Sequence, residues 1–174
     1  MTAKINIHAI REHKGQVLKG SMHLTSGQLL GETALASCWE DIVFDYQVTN
    51  ADELFLLEGK LTASYVQPCS RCLVQARTQV ERQLLEKFAR QPVPDEEIFA
   101  FRGDELDLIG LLREHLLLAA PLKVVCGDSC QGLCPGCGQN LNENQCDCNF
   151  VAPDPRLAAL EKLLPPSPGN KDNE

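Results

Sequence analysis

The chain has 174 residues, 44% of them apolar and 23% charged, and a formal net charge of -8. That suffices for one ordinary domain with a real core plus a small appendage, and no run of eighteen apolar residues offers a membrane span. So acidic a chain argues against binding nucleic acid through its overall field, and any such contact must be local or mediated by a protein.

The opening segment, MTAKINIHAIREHKG, lacks the long apolar stretch and the small-residue cleavage site of a signal peptide, so a cytoplasmic protein is expected. Residues 1–50 read as strands around an undefined middle. Ile5, Ile7 and Ala9 alternate with polar residues, as do Ile42, Phe44, Tyr46 and Val48. Residues 21–40 fit a loop, a strand or a short helix equally well. Residues 54–90 read as a long hairpin, with Leu57, Leu61, Ala63 and Tyr65 on one face of the first arm and Val74, Ala76, Thr78 and Val80 on one face of the second. The second arm is expected to turn helical near Leu84, Leu85 and Phe88. Residues 91–103 read as a loop around Pro92, Pro94 and Gly103 that carries the acidic run Asp95-Glu96-Glu97. A helix is expected from an Asp104 N-cap, with Leu106, Ile109, Leu112 and Leu116 on its inner face and Pro121 ending it. A short terminal helix from Asp154 to Leu164 and a disordered tail complete the chain.

The expected fold class is α+β: a mainly antiparallel sheet with a long hairpin, a core helix near 104–120 and a C-terminal cysteine-rich zinc module. As domains this gives a sheet-plus-helix body over 1–122, a cysteine-rich module over 123–152 packed on it, a helix over 153–164 and a tail over 165–174.

Nine cysteines in a reducing compartment argue for metal or redox chemistry rather than structural disulfides. Cys38, alone beside Trp39, reads as a small buried hydrophobe. The rest fall in pairs. Cys134-Pro135-Gly136-Cys137-Gly138 has the proline and glycines of a tight turn that aims two thiolates at one ion, and Cys146-Asp147-Cys148 can close a tetrahedron around it. A sulfur-only ligand set suits a structural Zn²⁺, one or two ions per chain. Cys69 and Cys72, at the hairpin turn, and Cys126 and Cys130 are expected to form a second site that clamps the cysteine-rich stretch to the sheet. Other partitions, such as Cys69 and Cys72 with Cys146 and Cys148, also fit the sequence. An iron–sulfur cluster is disfavoured because the ferredoxin run has two-residue spacings where this chain has three, and a thioredoxin-like dithiol because the residues after Cys72 are strand-patterned. Each four-thiolate zinc site adds -2, so two would take the formal charge from -8 to -12.

No phosphate loop, nucleophile elbow or HExxH motif is present and the four histidines are scattered, so neither an enzyme nor a small-molecule substrate is expected. Basic charge concentrates at residues 69–91 (net +3), where Arg71 and Arg77 would share the outer strand face as candidate partner contacts, or would simply balance the acidic residues of 92–119.

The run CSRCL at 69–73, the leucine-rich segment 105–126, CQGLCPGCGQNLN at 130–142 and CDC at 146–148 together resemble the YceD family, bacterial and plastid proteins associated with accumulation of large-subunit ribosomal RNA. The resemblance covers roughly residues 40–150. It implies a non-enzymatic factor in synthesis, processing or stability of that RNA, with ribosomal RNA or a basic ribosomal protein as partner. It also implies that Cys69, Arg71 and Cys72 belong to a shared element, with Arg71 the leading partner contact. A thiol-based redox or zinc-responsive regulator is the alternative.

Overall fold

The computed structural model describes residues 3–91 and 98–148 together with Arg156 and Leu160. The expected terminal helix, the tail and the acidic run at 95–97 lie outside the described residues. The protein is α+β with a mostly antiparallel sheet and few helices, and it divides into two compact units, Met1–Cys130 and Gln131–Glu174. Residues 126–130 thus fall with the sheet, past the boundary expected at 122.

The first unit is built on a five-stranded sheet. Its strands are β2 (Val17–Leu24), β3 (Trp39–Asn50), β4 (Leu54–Pro68), β5 (Gln75–Ala89) and β6 (Ile98–Ala100), in that order. All neighbours are antiparallel except β5 and β6, which pair in parallel at Lys87↔Ile98 and Ala89↔Ala100. A second ladder joins β1 (Lys4–Asn6) to β7 (Glu105–Asp107), with Ile5 opposite Leu106.

Period-two alternation sorts the two faces of the sheet. Phe44, Val48, Leu57, Leu61, Ala63 and Tyr65 are buried on one face, while the other carries Glu58, Lys60, Gln79 and Glu81. The buried face is covered by α2 (Ile109–Ala119) through Leu111, Leu112 and Leu116, and Leu29 and Leu30 of the short helix α1 (Ser26–Leu30) also enter the core. α1 is fixed by a capping box: Thr25 Oγ1 accepts from the Gln28 amide at 3.3 Å, and Gln28 Oε1 accepts from the Thr25 amide at 2.7 Å. Residues 21–40 therefore resolve into the end of β2, α1 and a 3-10 turn over Ala36–Cys38.

Three expectations are corrected. The second hairpin arm does not become helical: β5 stays paired with β4 to Leu54↔Ala89, with Leu84 and Phe88 buried and Leu85 67% exposed. The helix-forming composition of LLEKF yields to cross-strand pairing against Leu54–Gly59, because only alternation puts Leu84 and Phe88 both inside. Asp104 does not cap the helix. Glu105–Asp107 are drawn into a strand against β1, α2 begins after Leu108, and Asp107 Oδ1 accepts from the Ile109 amide at 3.0 Å. The segment 91–103, expected as loop, contains β6. Among the described residues no helix is long and apolar enough to cross a membrane.

Candidate metal centres

The β4–β5 hairpin ends in Cys69-Ser70-Arg71-Cys72. The Cys69 amide donates to Val74 O at 2.8 Å, and the Leu73 amide donates to Cys69 O at 3.0 Å with Leu73 in the left-handed region (φ 62°). The chain after α2 then reaches this tip, where the Ser70 amide donates to Val124 O at 2.8 Å. That contact delivers Cys126 and Cys130 to Cys69 and Cys72. The four sulfurs lie within 4.8 Å of one another, with Cys69 Sγ 3.9 Å from Cys130 Sγ and Cys72 Sγ 3.5 Å from Cys126 Sγ. A tetrahedron with Zn–S bonds of about 2.3 Å has sulfur–sulfur edges of about 3.8 Å, so the spacing fits a metal. It is far too long for a disulfide.

The second unit folds around the other four cysteines. An isolated bridge joins Leu133 to Asn140, the Gly138 amide donates to Cys134 O at 2.8 Å, and Gly138 takes φ 75° to let the chain double back. The Asn140 side chain closes the next turn by accepting from the Asn142 amide at 3.1 Å. The Sγ atoms of Cys134, Cys137, Cys146 and Cys148 again lie within 4.8 Å of one another. The structure thus groups the eight paired cysteines as Cys69, Cys72, Cys126, Cys130 and Cys134, Cys137, Cys146, Cys148, out of the partitions the sequence left open. Both tetrads can hold a metal ion.

The electrostatics of the two tetrads are alike. The amides of Cys72 and Arg71 lower the Cys69 thiol to about 6, and the amides of Cys137 and Gly136 lower Cys134 to about 6. Arg71 N–H donates to Cys69 Sγ and Gly136 N–H to Cys134 Sγ, each at 3.4 Å. Conversely, hydrogen bonding with Cys130 and Cys72 pushes Cys126 up to about 12, and Cys137 does the same to Cys148. Each cluster therefore stabilises one thiolate through backbone amides while crowding raises its neighbours. A divalent cation relieves that crowding by letting the thiols deprotonate together. Burial distinguishes the sites. In the first only Cys126 is exposed, whereas in the second Cys137 and Cys148 are exposed and only Cys134 is buried.

Arg71 and Arg77 do project from the hairpin, but both have partners within the chain. Arg71 Nη1 donates to Cys130 O at 3.0 Å and Asp128 O at 3.3 Å, stitching the 126–130 loop to the hairpin tip. Arg77 pairs with Glu40 and, at 3.1 Å, with Asp41 on β3, where a register irregularity between Glu40 and Val43 places Asp41 at φ 50°. Cys38 is half-buried, and its sulfur accepts from Gln67 Nε2 at 3.5 Å. His115 faces Glu86 at 3.2 Å, with a buried Nδ1 that meets no hydrogen-bond partner among the described residues. Sequence reasoning missed two polar anchors. Asp104 accepts from Arg11 at 2.8 Å and lies 2.9 Å from His8 Nδ1, and buried Asn50 donates to Ile10 O at 2.7 Å. Asn at the end of an alternating strand was the available signal for the second; nothing local marked the first.

An uncharacterized protein of Mycobacterium tuberculosis is 30% identical to the chain over 128 residues, 70% of this chain and 61% of the relative. The YlbN protein of Bacillus subtilis is 31% identical over 101 residues, 56% of this chain and 59% of its own length. A chloroplastic large ribosomal RNA subunit accumulation protein YCED homolog of Arabidopsis thaliana is 36% identical over 59 residues, 34% of this chain and 18% of its own. The chain thus spans about three fifths of the length of the bacterial relatives it matches. No solved structure matches it significantly. The family model described as large ribosomal RNA subunit accumulation protein YceD matches residues 57–164, across the hairpin tip and both cysteine tetrads, and the chain belongs to that family.

Proposed function

We propose that this protein is a non-enzymatic, cytoplasmic factor that holds two Zn²⁺ ions, one in each cysteine tetrad, and supports the synthesis, processing or stability of large-subunit ribosomal RNA. One observation carries the reading: two four-sulfur clusters of tetrahedral spacing, in a chain belonging to a family described by accumulation of that RNA. Four thiolates per ion leave no open position for a water nucleophile, which supports a structural metal rather than a hydrolytic one. Removal of the first ion would release the 126–130 loop from the hairpin.

Partner contact is assigned to the hairpin tip, where Arg71 is exposed and the backbone around it is fixed by the first tetrad. Arg77 is the weaker contact, because its two Nη atoms already meet carboxylates. A pI near 5.0 favours a basic ribosomal protein as the immediate partner over bare RNA. The test has two parts. Elemental analysis should find two zinc ions per chain, falling to one in Cys69→Ser/Cys72→Ser. Depletion in cells should lower mature large-subunit RNA relative to small-subunit RNA, and an unchanged ratio would sink the ribosomal reading.

A second reading, a thiol-based or zinc-responsive regulator, is favoured by the exposure of Cys137 and Cys148. It requires that mild hydroperoxide expel zinc with disulfide formation. Retention of both ions under that treatment excludes it.

A further inference from the structure

β5 meets β6 only at Lys87, Phe88 and Ala89, so among the described residues no strand lies beside the outer backbone of residues 75–86. Edge strands usually carry a device that turns away another strand, such as a proline, a bulge or a lysine. This one has none. Its register with β4 runs unbroken from Leu54↔Ala89 to Pro68↔Gln75, and residues 75–86 read QARTQVERQLLE, without proline, glycine or lysine. Such an edge is a template for one more strand.

The residues of the edge specify the occupant. Two copies related by a two-fold axis perpendicular to the sheet pair antiparallel, and opposed residues share a face, so odd positions meet odd and even meet even. Centred on Gln79, this pairing sets Arg77 opposite Glu81 twice. Within each copy Glu81 meets Lys60 at 2.8 Å and Arg77 meets Asp41 at 3.1 Å, so the junction continues a row of alternating charge, Lys60, Glu81, Arg77, Asp41. Neighbouring registers lack this match. Centring on Thr78 or Val80 sets Arg77 and Glu81 against glutamines, and centring on Glu81 or Arg82 places like charges on the axis. The opposite edge, β2, reads VLKGSMHL and has no acidic residue to complement Lys19.

We infer that the protein forms a two-fold dimer by antiparallel pairing of β5 with β5 over residues 75–83, joining two five-stranded sheets into one. The full chain, purified intact and measured by sedimentation equilibrium and light scattering at tens of micromolar, should show twice the chain mass of 19.2 kDa. Gln79→Lys sets two cations face to face on the axis and should raise the dimer dissociation constant at least about tenfold, with an unchanged circular dichroism spectrum. Ser21→Lys on β2 should leave the dimer intact. A chain that stays monomeric at those concentrations overturns the inference, and so does a dimer that ignores Gln79→Lys or dissociates on Ser21→Lys.

Discussion

Truncating Arg71 measures how far protein, rather than metal, holds the first tetrad together. One Nη atom serves two carbonyl oxygens, Cys130 O at 3.0 Å in a partly buried setting and Asp128 O at 3.3 Å in an exposed one. A charged donor on a shielded carbonyl contributes about 1.5 kcal/mol net, while the longer bond competes with water and adds little. About 1.5 kcal/mol corresponds to roughly a tenfold change in an equilibrium constant. Arg71→Ala is therefore expected to weaken zinc binding at the first tetrad about tenfold. The second tetrad draws its ligands from residues 134–148 alone and should keep its affinity. Chelator competition reads each site separately when Cys134→Ser/Cys137→Ser or Cys69→Ser/Cys72→Ser removes the other. Arg71→Lys, which can reach one carbonyl, should recover part of the loss. A first site that binds zinc as tightly without the guanidinium would refute the stitching role and leave Arg71 as a partner contact only. A loss at both sites would refute the claim that the effect is local.

Three further outcomes are expected. A Cβ on Gly59 would run into the fully buried Phe44 ring and lie 3.0 Å from the Asp45 carbonyl oxygen, so Gly59→Ala should cost about 1–3 kcal/mol in urea unfolding. Gly20→Ala meets first the hydroxyl end of half-buried Tyr46, which can swing aside, and should stay within about 0.5 kcal/mol; equal midpoints for the two would refute this account of the sheet's packing. The Arg11 guanidinium, aided by His8, holds the Asp104 carboxyl below its ordinary value of 3.8. A depressed carboxyl stabilises the fold above its ordinary range and loses that effect as pH falls toward the folded value, so Asp104→Asn should lower the melting temperature at pH 7 by an amount that shrinks below about pH 4. A gap that persists to pH 2 would show that the carboxylate charge is not what Asp104 contributes. Finally, Leu112→Ala, which empties a fully buried position on α2, should cost about 2–5 kcal/mol in the same unfolding assay; a loss under 1 kcal/mol would mean that α2 is not packed as described.

Strong alternation made β3 and β4 legible, since Ile42, Phe44, Val48, Leu57 and Leu61 all had to share a face. The cysteine turn was legible because Pro135, Gly136 and Gly138 have few other uses at that spacing. What failed were places where a distant strand overrode local preference. Leu84, Leu85 and Phe88 carry a helical spacing that only the ladder with β4 overturns, and Asp104 is a good cap that β1 diverts into a strand. Arg71 illustrates a different limit. Its charge and position suggested an outward contact, but the carbonyls it binds lie 57 and 59 residues away and belong to a loop with no regular structure. No periodicity within either segment encodes that meeting.

Cys69 and Cys130 stand 61 residues apart in the chain yet end up 3.9 Å apart. At ordinary rates of synthesis, the ribosome needs about 3–12 s to add that interval. For that time Cys69 and Cys72 are without Cys126 and Cys130, and their dithiol is open to oxidants and to stray metal. However early the hairpin folds, only the arrival of residues 126–130 can complete the first site. Each new copy would thus pass through a vulnerable, half-built state before its first site closes.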